Sequence, residues 1–83
     1  MEVNALLITK PLCDLKPGRE GIVKKITAQG RLKRKILEMG IISGDKVKVK
    51  GVAPMGDPIE VVVKDYNLSL RKNEASSIMV EVI

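Results

Sequence analysis

Hydrophobic and polar positions alternate most cleanly in the second half of the chain. Ile59, Val61 and Val63 fall on one side of an extended backbone, with Glu60, Val62 and Lys64 on the other. Val47 and Val49 alternate in the same way with Lys46, Lys48 and Lys50, and Ile78, Val80 and Val82 with Met79 and Glu81. Leu68 and Leu70 point opposite to Ser69 and Arg71. Each run predicts a strand with one face for a core. Residues 53–58 are a turn cluster: Pro54 and Pro58 fix φ, Gly56 admits positive φ, and Asp57 bonds backbone near itself. Asp65-Tyr66-Asn67 reads as a second tight turn. The hairpin so formed cannot stand alone in water, so the rest of the chain must cover its apolar face.

The period changes at residues 31–39. Leu32, Ile36 and Met39 recur at helical spacing and form a core stripe, while Arg31, Arg34, Lys35 and Glu38 face away from it. Leu37 lies about 100° from Ile36 and marks the stripe's edge. Gly40 suits a left-handed cap.

The remaining segments are shorter. Residues 1–10 carry an apolar patch, Ala5-Leu-Leu-Ile, suited to an edge strand or a docked tail. Pro11-Leu-Cys-Asp-Leu predicts one helical turn with Pro11 at its first position. Lys16-Pro-Gly and Ser43-Gly-Asp are turns. Residues 21–26 are a strand in which Ile22 and either Val23 or Ile26 compete for the core face, so the alternation leaves its register open. Lys72-Asn-Glu-Ala-Ser predicts a helical turn capped by Asn73. Five or six short antiparallel strands, punctuated by Gly and Pro and interrupted by one main helix, predict a mainly β, small α+β fold of barrel type.

With 83 residues there is room for one domain, 1–83. The 45% hydrophobic fraction is almost wholly aliphatic, since Tyr66 is the one aromatic residue. Together with 30% charged residues it predicts a globular chain. No run approaches the roughly 20 apolar residues of a membrane helix, and nothing resembles a secretion signal, so a soluble cytoplasmic protein is expected. A single cysteine excludes an internal disulfide.

The absent residue types exclude several chemistries. Without histidine there is no Ser-His or Cys-His nucleophile pair, and the glycines stand singly at turns rather than in a phosphate loop. An enzyme is not expected. Cys13 reads as a small half-buried apolar residue. Cys13, Asp57 and Glu60 are weak metal candidates, with Glu74 and Glu81 as further carboxylates, but turn or solvated roles suit them better. Any Fe2+ or Zn2+ site is expected to be weak. Of the soft sulfurs Met39, Met55 and Met79, only Met55 sits in a turn, where a flexible Met suits contact with a protein partner.

Charge is the strongest positive signal. The formal net charge is +5. Residues 31–50 hold Arg31, Lys33, Arg34, Lys35, Lys46, Lys48 and Lys50 against Glu38 and Asp45. Such a face is either simply solvated or docks on an acidic protein or membrane-adjacent surface. Nucleic acid is the lesser alternative, since one tyrosine makes no stacking platform, although duplex-backbone binding needs none.

Four segments carry a resemblance. Ala53-Pro-Met-Gly-Asp-Pro-Ile-Glu and Leu68-Ser-Leu-Arg-Lys-Asn-Glu-Ala resemble the signature of the FeoA family. Arg34-Lys-Ile-Leu-Glu-Met-Gly-Ile-Ile-Ser-Gly-Asp is similar to its basic helix and glycine turn, and Leu15-Lys-Pro-Gly to its opening motif. The likeness runs from about Leu12 to the end. It implies an SH3-like barrel crossed by the helix. It also implies an accessory protein of ferrous iron uptake that acts on the membrane GTPase transporter FeoB, by regulating the GTPase or stabilising the transporter. Family descriptions attach transition-metal binding as well, which the lack of histidine counts against. The docking surface would hold Arg31, Arg34, Lys35 and Leu37 of the helix with Met55, Gly56 and Asp57 of the turn. The alternative is a metal-responsive domain similar to the C-terminal domains of iron-dependent repressors, although this chain lacks their helix-turn-helix.

Overall fold

The computed structural model describes residues 8–83. Six strands form one antiparallel sheet: β1 (Thr9–Pro11), β2 (Glu20–Ile26), β3 (Lys46–Val52), β4 (Ile59–Val63), β5 (Tyr66–Leu70) and β6 (Ile78–Val82). Their order is β1-β6-β2-β3-β4-β5, with β1 and β5 at the edges. Helix α1 spans Gly30–Glu38 and a short α2 spans Lys72–Ala75. A 3-10 turn at Leu12–Asp14 follows β1, with Pro11 at its cap. Of the N-terminal apolar patch, all but Ile8 lies outside the described residues.

The alternation resolves as predicted in β3, β4 and β6. Val47, Val49, Ile59, Val61, Val63, Ile78 and Val80 are buried, and Leu70 joins them from β5. Ile36 is the buried residue of α1, with Leu32 and Met39 packed beside it. Gly40 takes φ +90° just past the helix, a conformation that favours glycine.

Two bulges curl the sheet. One lies between Val23 and Lys25 in β2, the other between Val49 and Gly51 in β3. Each adds one residue to its strand, which bends it and raises its twist. The first settles the register of β2. Val23 pairs with Val80 and Ile26 with Ile78, so the extra residue brings both onto the core face. Ile22 is left on the outer side, paired with Glu81 and Lys46.

Two local expectations are corrected. The β4–β5 turn is Lys64-Asp65, with φ of +53° and +68°, and Tyr66 already pairs with Val63. Two positive φ values match the twist of a two-residue hairpin, so the turn closes one step earlier than Asp65-Tyr66-Asn67. At α2 the cap position is Arg71, and Asn73 lies inside the helix.

Candidate functional site

Arg31, Arg34, Lys35 and Leu37 all project from α1, and their setting divides them. The shallow hollow on the outer face of α1 is lined by Gly30, Lys33, Arg34, Leu37 and Glu38. Leu37 is 44% exposed at its edge. Among the described residues, Arg31, Lys33 and Arg34 form no ion pair, so their charge is open to solvent. Lys35 differs: its Nζ lies 2.7 Å from Oε2 of Glu74.

Glu74 itself corrects an expectation. Instead of being solvated, it is 2% exposed and is the one buried charged residue among those described. Its Oε1 accepts the backbone N–H of Arg71 at 2.8 Å, the reciprocal half of a capping arrangement. Burial alone would raise its pKa. Hydrogen bonds from Lys35 and the Arg71 amide, with the Lys35 charge, outweigh that and hold the carboxyl below its ordinary value. A cap residue followed three places later by Glu was the available signal. Arg71 stands where Ser or Thr marks the pattern, which conceals it.

The turn at 53–58 presents Met55, which is 91% exposed. Gly56 takes φ +86°, and its N–H donates to the Ala53 carbonyl at 2.7 Å. Asp57 reaches beyond its own turn: its Oδ1 accepts the backbone N–H of Lys72 at 3.0 Å. Asp57 lines a second hollow with Arg71, Lys72, Asn73 and Ser76. Arg34 and Leu37 of the helix and Asp57 of the turn therefore border two separate hollows, and α2 is tied to Lys35 of the helix and to Asp57 of the turn.

The outer sheet face is cationic too, but its charges are mostly engaged. Lys46 lies 3.7 Å from Glu20 and Lys64 lies 3.4 Å from Asp45, while Lys50 donates to Asn67. Lys64 also donates to the Gly40 carbonyl at 2.9 Å, fastening the β4–β5 turn to the end of α1. Of the two cationic faces, α1 carries the freer charge.

The weak metal candidates stand apart. Among the described residues no three of His, Cys, Asp and Glu come together. Cys13 lies in the 3-10 turn, where burial and then the Asp14 carboxylate push its thiol pKa up. A thiol so held is a poor thiolate ligand at neutral pH. Asp57 is occupied by Lys72, and Glu60 is exposed on β4.

Comparison with known proteins places this geometry. A putative Fe(2+) transport protein A of Methanocaldococcus jannaschii is 37% identical over 71 residues, 86% of this chain and 84% of that protein. An Fe(2+) transport protein A/Fe(2+) transporter FeoB fusion protein of Porphyromonas gingivalis is 36% identical over 72 residues. That match is 87% of this chain but 8% of the fusion protein, so the chain spans a small part of that relative. The NMR structure of a FeoA-like protein from Clostridium acetobutylicum has a TM-score of 0.85 at 40% identity, covering 90% of this chain and 87% of that one. Stenotrophomonas maltophilia FeoA complexed with zinc, described as a procaryotic SH3 domain protein, has a TM-score of 0.68 at 26% identity, covering 84% and 87%. IdeR of T. acidophilum has a TM-score of 0.81 at 21% identity over 90% of this chain and 34% of its own, a likeness of fold alone. The sheet with its inserted helix is thus SH3-like. Residues 10–82 match the FeoA domain, and the chain belongs to the FeoA domain family.

Proposed function

We propose that this protein is a non-catalytic accessory factor of ferrous iron uptake that docks on the cytosolic side of a FeoB-type transporter. The observation that carries the reading is the Porphyromonas gingivalis relative, in which the matching segment and a FeoB transporter share one chain. Fusion holds two modules at high effective concentration, which favours a pair that works in contact. The free charges of α1 suit the task when the two are separate chains. Arg31, Lys33 and Arg34 steer approach to an acidic surface, while Leu37 and Met55 supply apolar contact. Rim charges mainly set the association rate, and buried apolar anchors the dissociation rate.

Iron is cargo of the transporter in this reading, not a resident of this chain. Zinc is bound by the Stenotrophomonas maltophilia protein. Here the histidine-free chain and the scattered carboxylates do not fit a strong site, so Fe2+ or Zn2+ binds weakly at surface carboxylates. The purified protein should hydrolyse neither GTP nor ATP, since it has no phosphate-cradling loop.

The test measures association with the cytosolic part of a FeoB-type transporter and iron uptake in cells. Charge reversal at Arg31 and Arg34 should slow association and flatten its salt dependence. Met55→Asp should speed dissociation. If both variants, at normal protein level, bind and support uptake as well as the parent, these surfaces are only solvated and the reading fails.

A further inference from the structure

We infer that α2 is a bracket that fixes the docking face of α1 relative to the Met55 turn, with Asp57 and Glu74 as its positioning residues. The inference rests on the docking reading for its purpose and on geometry for its content. A helix of four residues leaves its first N–H groups without helical partners. Here two consecutive N–H groups, those of Arg71 and Lys72, each take a carboxylate. The Arg71 N–H takes Glu74, whose second oxygen takes Lys35 of α1. The Lys72 N–H takes Asp57, two residues from Met55. Two surface elements far apart in sequence are thus tied to neighbouring amides.

Each tie reaches a stiff element. Lys35 follows Arg34 directly and precedes Leu37 on the same helix. The turn is braced within itself, as the Ala53 N–H donates to the Pro58 carbonyl at 3.0 Å and Gly56 back to Ala53. Holding Asp57 therefore holds Met55. The Lys35–Glu74 pair by itself adds little stability, because the lysine stays largely in water. What the arrangement supplies is a fixed geometry: α1 and the Met55 turn are held through α2 as a single body. A preorganised surface loses less entropy on binding, so its complexes dissociate more slowly.

Two measurements test this. The first needs no partner. Spin labels at Arg31→Cys and Met55→Cys, in a Cys13→Ala background, report the distance between the two elements. The bracket predicts a narrow distribution that broadens in Glu74→Gln, which keeps the side-chain volume and an acceptor for Arg71 but loses the charge that holds Lys35. Asp57→Ala should broaden it too. An unchanged width in both folded variants overturns the bracket whatever the partner proves to be. The second reads dissociation from the cytosolic part of a FeoB-type transporter, well below each variant's unfolding temperature. Either substitution should raise the rate about tenfold, and the double variant should add little, because one severed tie already frees the two elements. Additive effects, or no effect where Met55→Asp does speed dissociation, would remove the bracket and leave the docking reading standing. If Met55→Asp and the arginine reversals also change nothing, the docking reading itself fails.

Discussion

Lys35 and Glu74 form a half-buried ion pair, Nζ to Oε2 at 2.7 Å, in which the lysine remains largely in water and the carboxylate does not. The asymmetry decides what each contributes. Replacing Glu74 with Ala strands the Arg71 N–H, while Lys35 simply rehydrates. The expected loss is about 1–2 kcal/mol, that of a lost helix cap, since the Arg71–Glu74 bond is only partly buried. Lys35→Ala leaves a buried carboxylate that still accepts from Arg71, and water reaches one side, so its cost should be the smaller. Urea unfolding at neutral pH measures both, and a Glu74→Ala loss under half a kilocalorie would contradict this account.

The same carboxylate links stability to pH. Its folded pKa is depressed, so the folded state favours the charged form. The contribution is therefore fully present above the unfolded glutamate value of about 4.3, and is lost as pH falls from there through the folded value. Glu74→Gln should flatten the acid limb of the stability profile below about pH 4.5 and leave the neutral region parallel to the parent. An acid limb of the same slope would assign the transition to other carboxylates.

Two glycines make a matched pair. A Cβ on Gly21 would stand 3.0 Å from both Cβ and Cγ2 of Val80 and 3.1 Å from the Glu81 carbonyl, whereas one on Gly51 meets nothing within 4 Å. Gly21→Ala should cost about 1–3 kcal/mol through overpacking against the β6 backbone. Gly51→Ala should fall within about 0.5 kcal/mol of the parent. Thermal unfolding of the two separates them, and equal midpoints would show that β2 and β6 are less closely apposed.

Leu70 and Leu68 share a face of β5, but only Leu70 is fully buried. Leu70→Ala should cost about 2–5 kcal/mol, the range for a core leucine, and Leu68→Ala less. A loss below half a kilocalorie at Leu70 would mean that the strand faces are reversed.

Local pattern by itself determined most of the core. A strand's side chains alternate with a period of two and a helix's with 3.6, so neighbours in sequence alone place Val47, Val49, Val61, Val63, Leu70 and Ile36 inward. Gly40 and Gly56 were legible for the same reason, since positive φ is a property of one residue. The exposure of Met55 and of the α1 bases followed from their place outside any apolar stripe. Tertiary structure alone decided the rest. The bulge after Val23 is set by pairing with β6, and it decided the competition among Ile22, Val23 and Ile26 for Val23 and Ile26 together. The turn at Lys64-Asp65 was settled by hairpin twist, which overrode the ordinary preference against positive φ. Most of all, Glu74 and Asp57 looked like solvated or purely local carboxylates, because a charged side chain has no periodicity to betray its partner. Folding carried α2 to a place where Lys35 and two adjacent amides meet those carboxylates. Lys35 and Glu74 stand 39 positions apart and Asp57 and Lys72 stand 15 apart, and sequence spacing records neither pair as proximity.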